Sequence, residues 1–449
     1  MKENNPHILG TEKVGKLLLE YSIPAIIGMT LTSLYNIIDS VFIGHGVGAM
    51  AISGLAISFP LMNLLVAFCT LVGVGGATIS SIRLGQKDTD GAEKVLGNVT
   101  VLCVINSIFY GGITLLFLDR ILFFFGASHD TLPYARDFMQ IILIGSPVTY
   151  VMIGLNNIMR ATGYPRKAML SSMLTVGCNI ILAPVFIFWL GWGIRGAATA
   201  TILSQFAGMI WVLSHFMQEK SYIRFKKGIF KLRKRIVENI FSIGMSPFLM
   251  NVCASAIVII FNKSLLLYGG DLAIGAYGIL NRLLMLFVMV IMGLTMGKPI
   301  VGYNHGAHKF GRVKQTLKYC MIAGGCITSL GFAFSELFPN LVVNMFTDDK
   351  ELTALARTGL QIGVLMFPFV GIQIVISSFF QSIGKAKISI FLSLSRQLLY
   401  LLPCLLLLPH WWGLNGIWLS MPVSDLLAFI TACLMLAHHI KKLNKITEV

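Results

Sequence analysis

The stretch SIRLGQKDTDGAEKVLGNVTVLCVINSIFYGGITLLFL, residues 81–118, joins a polar loop to a long apolar run. The apolar part, Val101–Leu118, carries no charge and approaches the roughly 20 residues that a helix needs to cross about 30 Å of hydrocarbon. Similar runs, such as Ile388–Leu408, recur along nearly the whole chain, without the alternation typical of β-barrel strands. Because helices satisfy their own backbone groups in lipid, the pattern predicts an all-α polytopic membrane protein.

The composition agrees with a chain embedded in a membrane. Of its 449 residues, 56% are hydrophobic and 12% are charged, and the mean hydropathy is +0.79. Basic loops and Gly/Pro breaks divide the chain into twelve predicted transmembrane helices. These spans are predicted at residues 19–43, 51–82, 96–119, 134–158, 168–190, 196–217, 239–267, 272–301, 316–338, 352–379, 387–409 and 415–439.

The distribution of positive charge bears on orientation and on partners. A net charge of +16 could indicate nucleic-acid binding, but the cations gather in alternate loops. The basic loops contain Arg83, Lys87 and Lys94; Arg160, Arg166 and Lys167; Lys220 to Arg235; Lys309 to Lys318; Lys385 and Lys387; and Lys441 to Lys445. This positive-inside bias predicts a multi-pass membrane protein with both termini in the cytoplasm. Membrane lipids are the expected surroundings, and nucleic acid is not an expected partner.

The loop in residues 81–96 has a counterpart, GYNHGAHKFGRVKQTL, in residues 302–317. Gly85 and Gly306 lie 221 positions apart, as do Gly163 and Gly384 in a second pair of loops. This spacing predicts two six-helix lobes of the same orientation, with pseudo-symmetry about an axis along the membrane normal. The predicted segments are an N-terminal cytoplasmic stretch 1–18, an N-lobe 19–217, a basic linker 218–238, a C-lobe 239–439 and a cytoplasmic tail 440–449. The linker is expected to rest on anionic headgroups rather than to form a regulatory site.

Acids inside predicted spans are the first candidates for function, since each costs roughly 2.5–3.5 kcal/mol at a helix centre. Asp39 lies in the first span and Asp425 in the twelfth. Asp39 has no acidic counterpart in the second half, which favours proton or cation exchange over a structural role. For Asp425 a structural role is favoured over proton or cation exchange. Pro24, in the first span, is a candidate helix hinge, with static shape as the alternative.

Cations at apparent membrane depth form a secondary group of candidates. Arg282 and Arg396 could pair with acids or cap helix ends, whereas Lys263 and Lys298 could extend to an interface. The chain contains no phosphate-binding loop and no His/Cys spacing for a metal, so neither an enzyme nor a cofactor is predicted. An ion gradient of H⁺ or Na⁺ is the expected energy source.

Several segments resemble the multidrug and toxic compound extrusion (MATE) family. They include SIPAIIGMTLTSLYNIIDSVFIG, LNNIMRATGYPRKAM, GIRGAATATILSQ and FFQSIGKAKISIFLSLSRQ, and the resemblance runs from about Ser22 to the end of the last span. It is strongest to the bacterial branch that contains DNA-damage-inducible and MepA-type exporters. The resemblance implies two lobes around a central cleft, alternating access, and ion-driven export of amphipathic organic cations by a monomer.

The resemblance also implies a cation-coupling site made of Asp39, Asn179 and Thr201, and it places the kinking proline at Pro24. Two departures stand out. Relatives often have an aspartate at the position of Ala183, and its loss weakens a sodium site, which makes protonation of Asp39 the simpler hypothesis. Lys298 stands near the place of a usual glutamine, where a cation could repel cationic drugs.

Two other functions remain open at the level of sequence. A flippase for a lipid-linked precursor, as in relatives within the wider superfamily, is the alternative transporter. It predicts a strongly charged cleft and often more spans. A sensor or channel would bind substrate or conduct ions without coupled accumulation.

Overall fold

The computed structural model describes residues 8–47, 49–125, 127, 129–219, 221–344 and 350–447. Within these ranges it does not describe the side chains of 32–41, 44–46, 49–50, 52–53, 56, 271, 274, 282, 342 and 442–447. The regular elements of the described residues are all helical.

The first half contains helices Ile8–Thr11, Val14–Gly46, Ala49–Gly85, Thr89–Leu116, Leu118–Phe124, Leu132–Ile144, Ser146–Ala161 and Pro165–Pro184, a π-helical segment Val185–Trp189, and Gly193–Met217. The second half contains Lys234–Thr295, Lys298–Gly306, Phe310–Leu337, Pro339–Asn344, Lys350–Gly363, Phe367–Ser382 and Ala386–Leu394, a π-helical segment Ser395–Leu401, and Leu402–Thr447. The helix Lys234–Thr295 is interrupted at Gly270, and Leu402–Thr447 is interrupted at Gly413.

Twelve spans emerge from the described helices. Nine are long and apolar enough to cross a bilayer, and two further spans are bent helix pairs. The last of the nine, Ala386–Lys441, holds two spans, because its backbone turns at Gly413 with φ 54° and ψ −132°. The predicted all-α membrane architecture is thereby confirmed.

The fourth and tenth spans are bent, although each is predicted as one continuous stretch. Leu132–Ile144 meets Ser146–Ala161 at 55°, and Lys350–Gly363 meets Phe367–Ser382 at 54°. The second helix of each pair has proline, Pro147 or Pro368, in its first turn. Proline has no N–H to donate to the preceding turn, so it starts a new helix in both halves at positions 221 residues apart.

The backbone repeats in the loops as well. Lys87 and His308, also 221 residues apart, both have positive φ, at 63° and 57°. This left-handed conformation is uncommon for residues other than glycine. Its recurrence at equivalent places, just after the matched glycines Gly85 and Gly306, confirms the internal duplication predicted from the loop motifs.

The helices form two compact units. The first unit comprises Met1–Glu12 and Ile23–Phe248, and includes the start of the seventh span. That segment packs tightly on the second span, since a Cβ on Gly244 would lie 1.7 Å from the carbonyl oxygen of Leu71, and one on Gly75 would lie 2.1 Å from that of Ile240. Glycine at both positions allows this backbone approach, a common device for packing membrane helices.

The second unit comprises Lys13–Ser22 and Leu249–Val449. Its core is built around buried aromatic residues that include Phe261 and Trp418. The start of the first span belongs to this unit, where Ser22 donates a hydrogen bond to the carbonyl of Leu294 at 3.4 Å. The first helix therefore passes from the second unit to the first between Ser22 and Ile23, directly before Pro24.

The basic linker is anchored to the third span in the first unit. Lys226 pairs with the buried carboxylate of Glu93 at 2.6 Å. Asn98 donates to the carbonyl of Lys231 at 3.1 Å and accepts from the backbone N–H of Arg233 at 2.8 Å. The linker is thus a fixed part of the fold, and the following helix begins at Lys234, earlier than the predicted 239. Contact with lipid headgroups stays a prediction.

Asp88 lies in the loop that carries the repeat motif, and the contribution of its carboxylate to stability can be measured. Its carboxylate accepts from the N–H of Gly91 at 2.8 Å, capping the third span, and it forms an ion pair with Arg83. Partial burial raises the pKa of this carboxyl, but the Gly91 and Arg83 interactions outweigh burial and hold the pKa below its usual range. Asp88→Ala is expected to destabilise the protein by roughly 1 kcal/mol, the typical loss of an N-cap.

The destabilisation should depend on pH with a definite sign. Because the folded-state pKa is depressed, the stabilisation is present above the unfolded-state pKa and is lost as pH falls through the folded-state value. Thermal unfolding of the purified protein at neutral and acidic pH measures this difference. Asp88→Asn, which keeps a capping oxygen, is the matched control and should lose less than Asp88→Ala at neutral pH. Equal melting temperatures for wild type and Asp88→Ala at neutral pH would contradict the assignment.

Candidate functional site

Asp39 lies in the helix Val14–Gly46, and its side chain is outside the described residues. A contact of Phe42, one turn after Asp39 in the same helix, shows which span this part of the helix packs against. The ring of Phe42 meets the ring of Phe188 edge to face, with centroids 6.3 Å apart. Since Phe188 belongs to the π-helical segment Val185–Trp189, the first span packs against the end of the fifth span, one turn from Asp39.

Asn179 and Thr201 face each other between the fifth and sixth spans. The amide nitrogen of Asn179 donates to the hydroxyl of Thr201 at 3.3 Å, and both side chains are buried. The same hydroxyl donates to the carbonyl of Ala197 at 3.1 Å. Because its single proton is used in that bond, the Thr201 hydroxyl can only accept from Asn179. The amide orientation is therefore set by the hydrogen bonds.

This orientation leaves the carbonyl oxygen of Asn179 available. Oδ1 is buried and accepts no hydrogen bond from the described residues. A buried acceptor without a donor typically costs about 1–3 kcal/mol. A carboxylic acid proton or a bound cation could satisfy this oxygen, since both interact favourably with an amide carbonyl. The pair therefore presents one oriented, buried oxygen that accepts no hydrogen bond from the described residues.

Ala183 lies one turn after Asn179 on the same buried face of the fifth span and is fully buried. Its methyl group contributes neither charge nor oxygen. The helix then passes through Pro184 into the π-helical segment, a type of local distortion that is frequent at functional sites. Around Asn179 the fifth span therefore supplies an amide without a second carboxylate.

Pro24 is buried in the first span, close to the point where that helix passes from one unit to the other. Its missing N–H removes one backbone hydrogen bond from the helix. A hinge at Pro24 stays a prediction.

Asp425 and Arg396 form an ion pair in the second unit. Nε of Arg396 lies 2.7 Å from Oδ1 of Asp425, whose side chain is 7% exposed. Arg396 lies in the π-helical segment Ser395–Leu401, and Asp425 lies in the span that follows. The carboxylate of Asp425 is buried, whereas the Arg396 side chain is 34% exposed, and their contact joins the eleventh and twelfth spans.

The remaining secondary candidates have different surroundings. The ammonium of Lys298 lies 2.6 Å from the amide oxygen of Gln381. The side chain of Lys263 is exposed, and that of Arg282 is outside the described residues.

Two partly buried contacts of amide side chains were not expected from the sequence. Gln381 is the partner of Lys298, and Gln205 accepts a hydrogen bond from Thr149 between the fourth and sixth spans. The signal that could have identified them is an amide within an apolar run. Such residues rarely face lipid, because an unsatisfied amide is costly there.

The family profile of MatE matches residues 24–185 and 247–406 of this chain. Together the two matched segments cover more than half of the sequence. Each falls in one half of the chain, in accord with the duplication seen in the backbone.

Relatives and solved structures match over nearly the full length. The chain is 28% identical over 438 residues to the multidrug export protein MepA of Staphylococcus haemolyticus, covering 97% of this chain and 95% of the relative. It is 27% identical to MepA of Staphylococcus aureus strain NCTC 8325, covering 97% and 96%.

Among solved structures, the MATE multidrug transporter DinF-BH in complex with rhodamine 6G is 33% identical, with a TM-score of 0.89 and 98% of each chain covered. A MATE crystal structure in the bent conformation has a TM-score of 0.94 at 24% identity, covers 100% of each chain, and supports the fold alone. With its twelve spans, duplicated halves and two matched segments, the chain belongs to the MatE family, the multidrug and toxic compound extrusion transporters.

Proposed function

We propose that this chain, a multidrug efflux transporter of the MATE family, exports amphipathic organic compounds in exchange for protons, and that Asp39 is the group that takes up and releases the proton. The proposed setting is the bacterial plasma membrane, with both termini in the cytoplasm and the protein acting as a monomer. Positive charge in alternate loops supports this orientation.

The available oxygen of Asn179 is the observation that carries the coupling proposal. It is buried, it is oriented by Thr201, and it lies on the span that packs against the helix of Asp39. A protonated carboxyl could donate to it, whereas an ionised carboxylate could not. Such a contact would stabilise the protonated form of Asp39. The proton would then be released only when the surroundings of Asp39 change.

Proton coupling is favoured over sodium coupling by the residues near Asn179. Hard cations such as sodium favour several oxygen ligands, and anionic charge helps to offset the cost of dehydration. Ala183, one turn from Asn179, offers neither. A proton needs only one acceptor, and the membrane potential adds about 2.3 kcal/mol per charge per 100 mV to the driving force.

The substrate class is supported by the comparisons. Two relatives that this chain matches over 97% of its length are multidrug export proteins, and a 33% identical transporter has been solved in complex with rhodamine 6G. Alternating access would let the protonation state of Asp39 differ between inward- and outward-open states, so that the ion gradient drives export.

Replacing Asp39 by asparagine tests the coupling role. Asp39→Asn keeps size and polarity but cannot exchange a proton, so efflux of rhodamine 6G driven by a proton gradient should fall by at least about tenfold, equivalent to roughly 1.4 kcal/mol. The measurement uses proteoliposomes with separately imposed proton and sodium gradients.

Asp90→Asn is the matched control, since Asp90 is a well-exposed acid at the start of the third span and should retain transport. Thermal unfolding checks that both variants are folded. Full transport by Asp39→Asn, or wild-type transport driven by sodium without a proton gradient, would refute the proposal.

Ala183→Asp tests why sodium is disfavoured. A second carboxylate one turn from Asn179 should create a sodium site, at an insertion cost of about 2.5–3.5 kcal/mol. We expect the melting temperature of this variant to rise in sodium chloride relative to choline chloride, since a ligand that binds the folded state stabilises it.

The neutral control is Ala183→Asn, which adds similar bulk without charge and should not respond to sodium. A sodium response of wild type as large as that of Ala183→Asp would show that Ala183 does not determine ion choice.

A further inference from the structure

The basic linker and the third span meet on one face of the first unit. A Cβ on Gly97 would lie 2.3 Å from the carbonyl oxygen of Ile229, so the linker backbone runs directly across the third span at this level. Glu93 and Asn98, on either side of Gly97, hold the linker through the ion pair and the hydrogen bonds described above. Residues 95–99 of the span are all buried there.

Beyond the linker, the same face of the third span is exposed and apolar. At 3.6 residues per turn, the side chains that follow Gly97 and Asn98 by two and three turns share their face of the helix. They are Val104, Ile105, Ile108 and Phe109, which are 37%, 49%, 62% and 59% exposed. An exposed apolar face of a membrane-spanning helix lies against acyl chains. The linker therefore crosses the lipid-facing side of this span.

The crossing lies at the depth where the charges of the third span end. Glu93 and Lys94 are the last charged residues before the uncharged stretch 95–118. The change from charged to apolar residues along a membrane helix marks the headgroup region. The linker is thus held at the level of the lipid headgroups, directly above the acyl chains that cover the exposed face.

The exposed side chains of the linker combine positive charge with apolar surface. Lys227, Lys231 and Arg233 are exposed, and none of them forms an ion pair with a carboxylate of the described residues. Phe230 and Leu232 lie between these cations in the chain, and each is 46% exposed. Cations that alternate with large apolar side chains are typical of a segment in the membrane interface. The unpaired cations favour a negatively charged headgroup.

The anchors of the linker are not part of the duplicated plan. The positions 221 residues after Glu93, Gly97 and Asn98 hold Lys314, Lys318 and Tyr319. A lysine cannot replace the carboxylate that pairs with Lys226, and a side chain at the position of Gly97 would collide with the linker backbone. These residues of the first half therefore serve to hold the linker rather than to form the fold that both halves share.

We propose that the linker and the third span together form a binding site for an anionic phospholipid, with the phosphate near Lys231 and Arg233 and the acyl chains along Val104 and Ile108. A negative headgroup offsets the exposed cations. Because the linker is already held in place, little conformational freedom is lost when the lipid binds. The site thereby selects charged lipids, beyond the contact with headgroups that any interfacial linker makes. It involves no group of the proposed proton-exchange site.

The test compares an anionic lipid with a zwitterionic lipid of the same acyl chains. Dioleoyl phosphatidylglycerol or dioleoyl phosphatidylcholine is titrated into the delipidated full-length protein in a mild detergent, and native mass spectrometry measures the first binding event. Wild type should bind the phosphatidylglycerol at least about tenfold more tightly, the range expected when two cations near a membrane surface are engaged. This comparison needs no variant. Equal affinities for the two lipids would overturn the proposal.

A headgroup without acyl chains separates a lipid site from a site for free phosphate. Glycerol phosphate at the same concentration as the lipid should leave phosphatidylglycerol bound, because it cannot contact the apolar face of the third span. Displacement of the lipid by glycerol phosphate would show that the linker binds phosphate groups alone, and would contradict the assignment to phospholipid.

Variants then assign the preference to the linker. The double variant Lys231→Gln/Arg233→Gln should lose most of the preference by weakening phosphatidylglycerol, while the backbone bonds of both residues to Asn98 are kept. Arg120→Gln/Lys350→Gln is the matched control, because it removes the same charge from exposed residues of other loops. Melting temperatures check that both variants are folded. A preference that survives Lys231→Gln/Arg233→Gln would place the lipid at another basic loop and refute the site. Since no gradient is used, these outcomes are independent of whether Asp39→Asn transports.

Discussion

Every backbone N–H and C=O inside a bilayer must find a partner within the protein, and this requirement shapes the whole chain. It allows long helices and makes each interruption costly. The interruptions seen here are therefore informative. They occur at Pro147 and Pro368 in the bent spans, and in π-helical segments at the fifth and eleventh spans of the two halves. Because these breaks occur at equivalent positions of the two halves, they are part of the fold that the halves share.

The two halves share a backbone plan but differ in chemistry. In the first unit the buried polar group between the fifth and sixth spans is neutral, Asn179 with Thr201. In the second unit the corresponding spans are joined by a charged pair, Arg396 with Asp425. In the first arrangement no described residue donates to the amide oxygen, whereas in the second the two charges neutralise each other. This asymmetry is consistent with the proposal that ion exchange takes place in the first lobe.

The second unit also contains the charged side chain of Lys298. Its ammonium is placed by a helix break, and its described partner is a neutral amide. Positive charge at a helix start makes that region chemically distinct from the first unit.

Much of the fold was predictable, because hydrophobic length and basic loops report directly on the solvent. Local patterns predict the number of spans and the duplication. The duplication is visible in the matched glycines Gly85 and Gly306, and Gly163 and Gly384. The bends at Pro147 and Pro368 were missed, since a proline between two apolar segments does not reveal whether the chain bends within a span or ends there.

The candidate site, like the fold, was predictable from the sequence only in part. The sequence by itself determined that this is a duplicated helical membrane transporter, and the family resemblance predicted that Asp39, Asn179 and Thr201 belong to one site. Only the tertiary structure decided that Thr201 orients Asn179, that Asp425 is neutralised by Arg396, and that Lys298 meets Gln381. Those partners lie between 22 and 83 positions apart in the chain. Helix packing brings them together, and packing depends on the shapes of whole helices rather than on any local pattern.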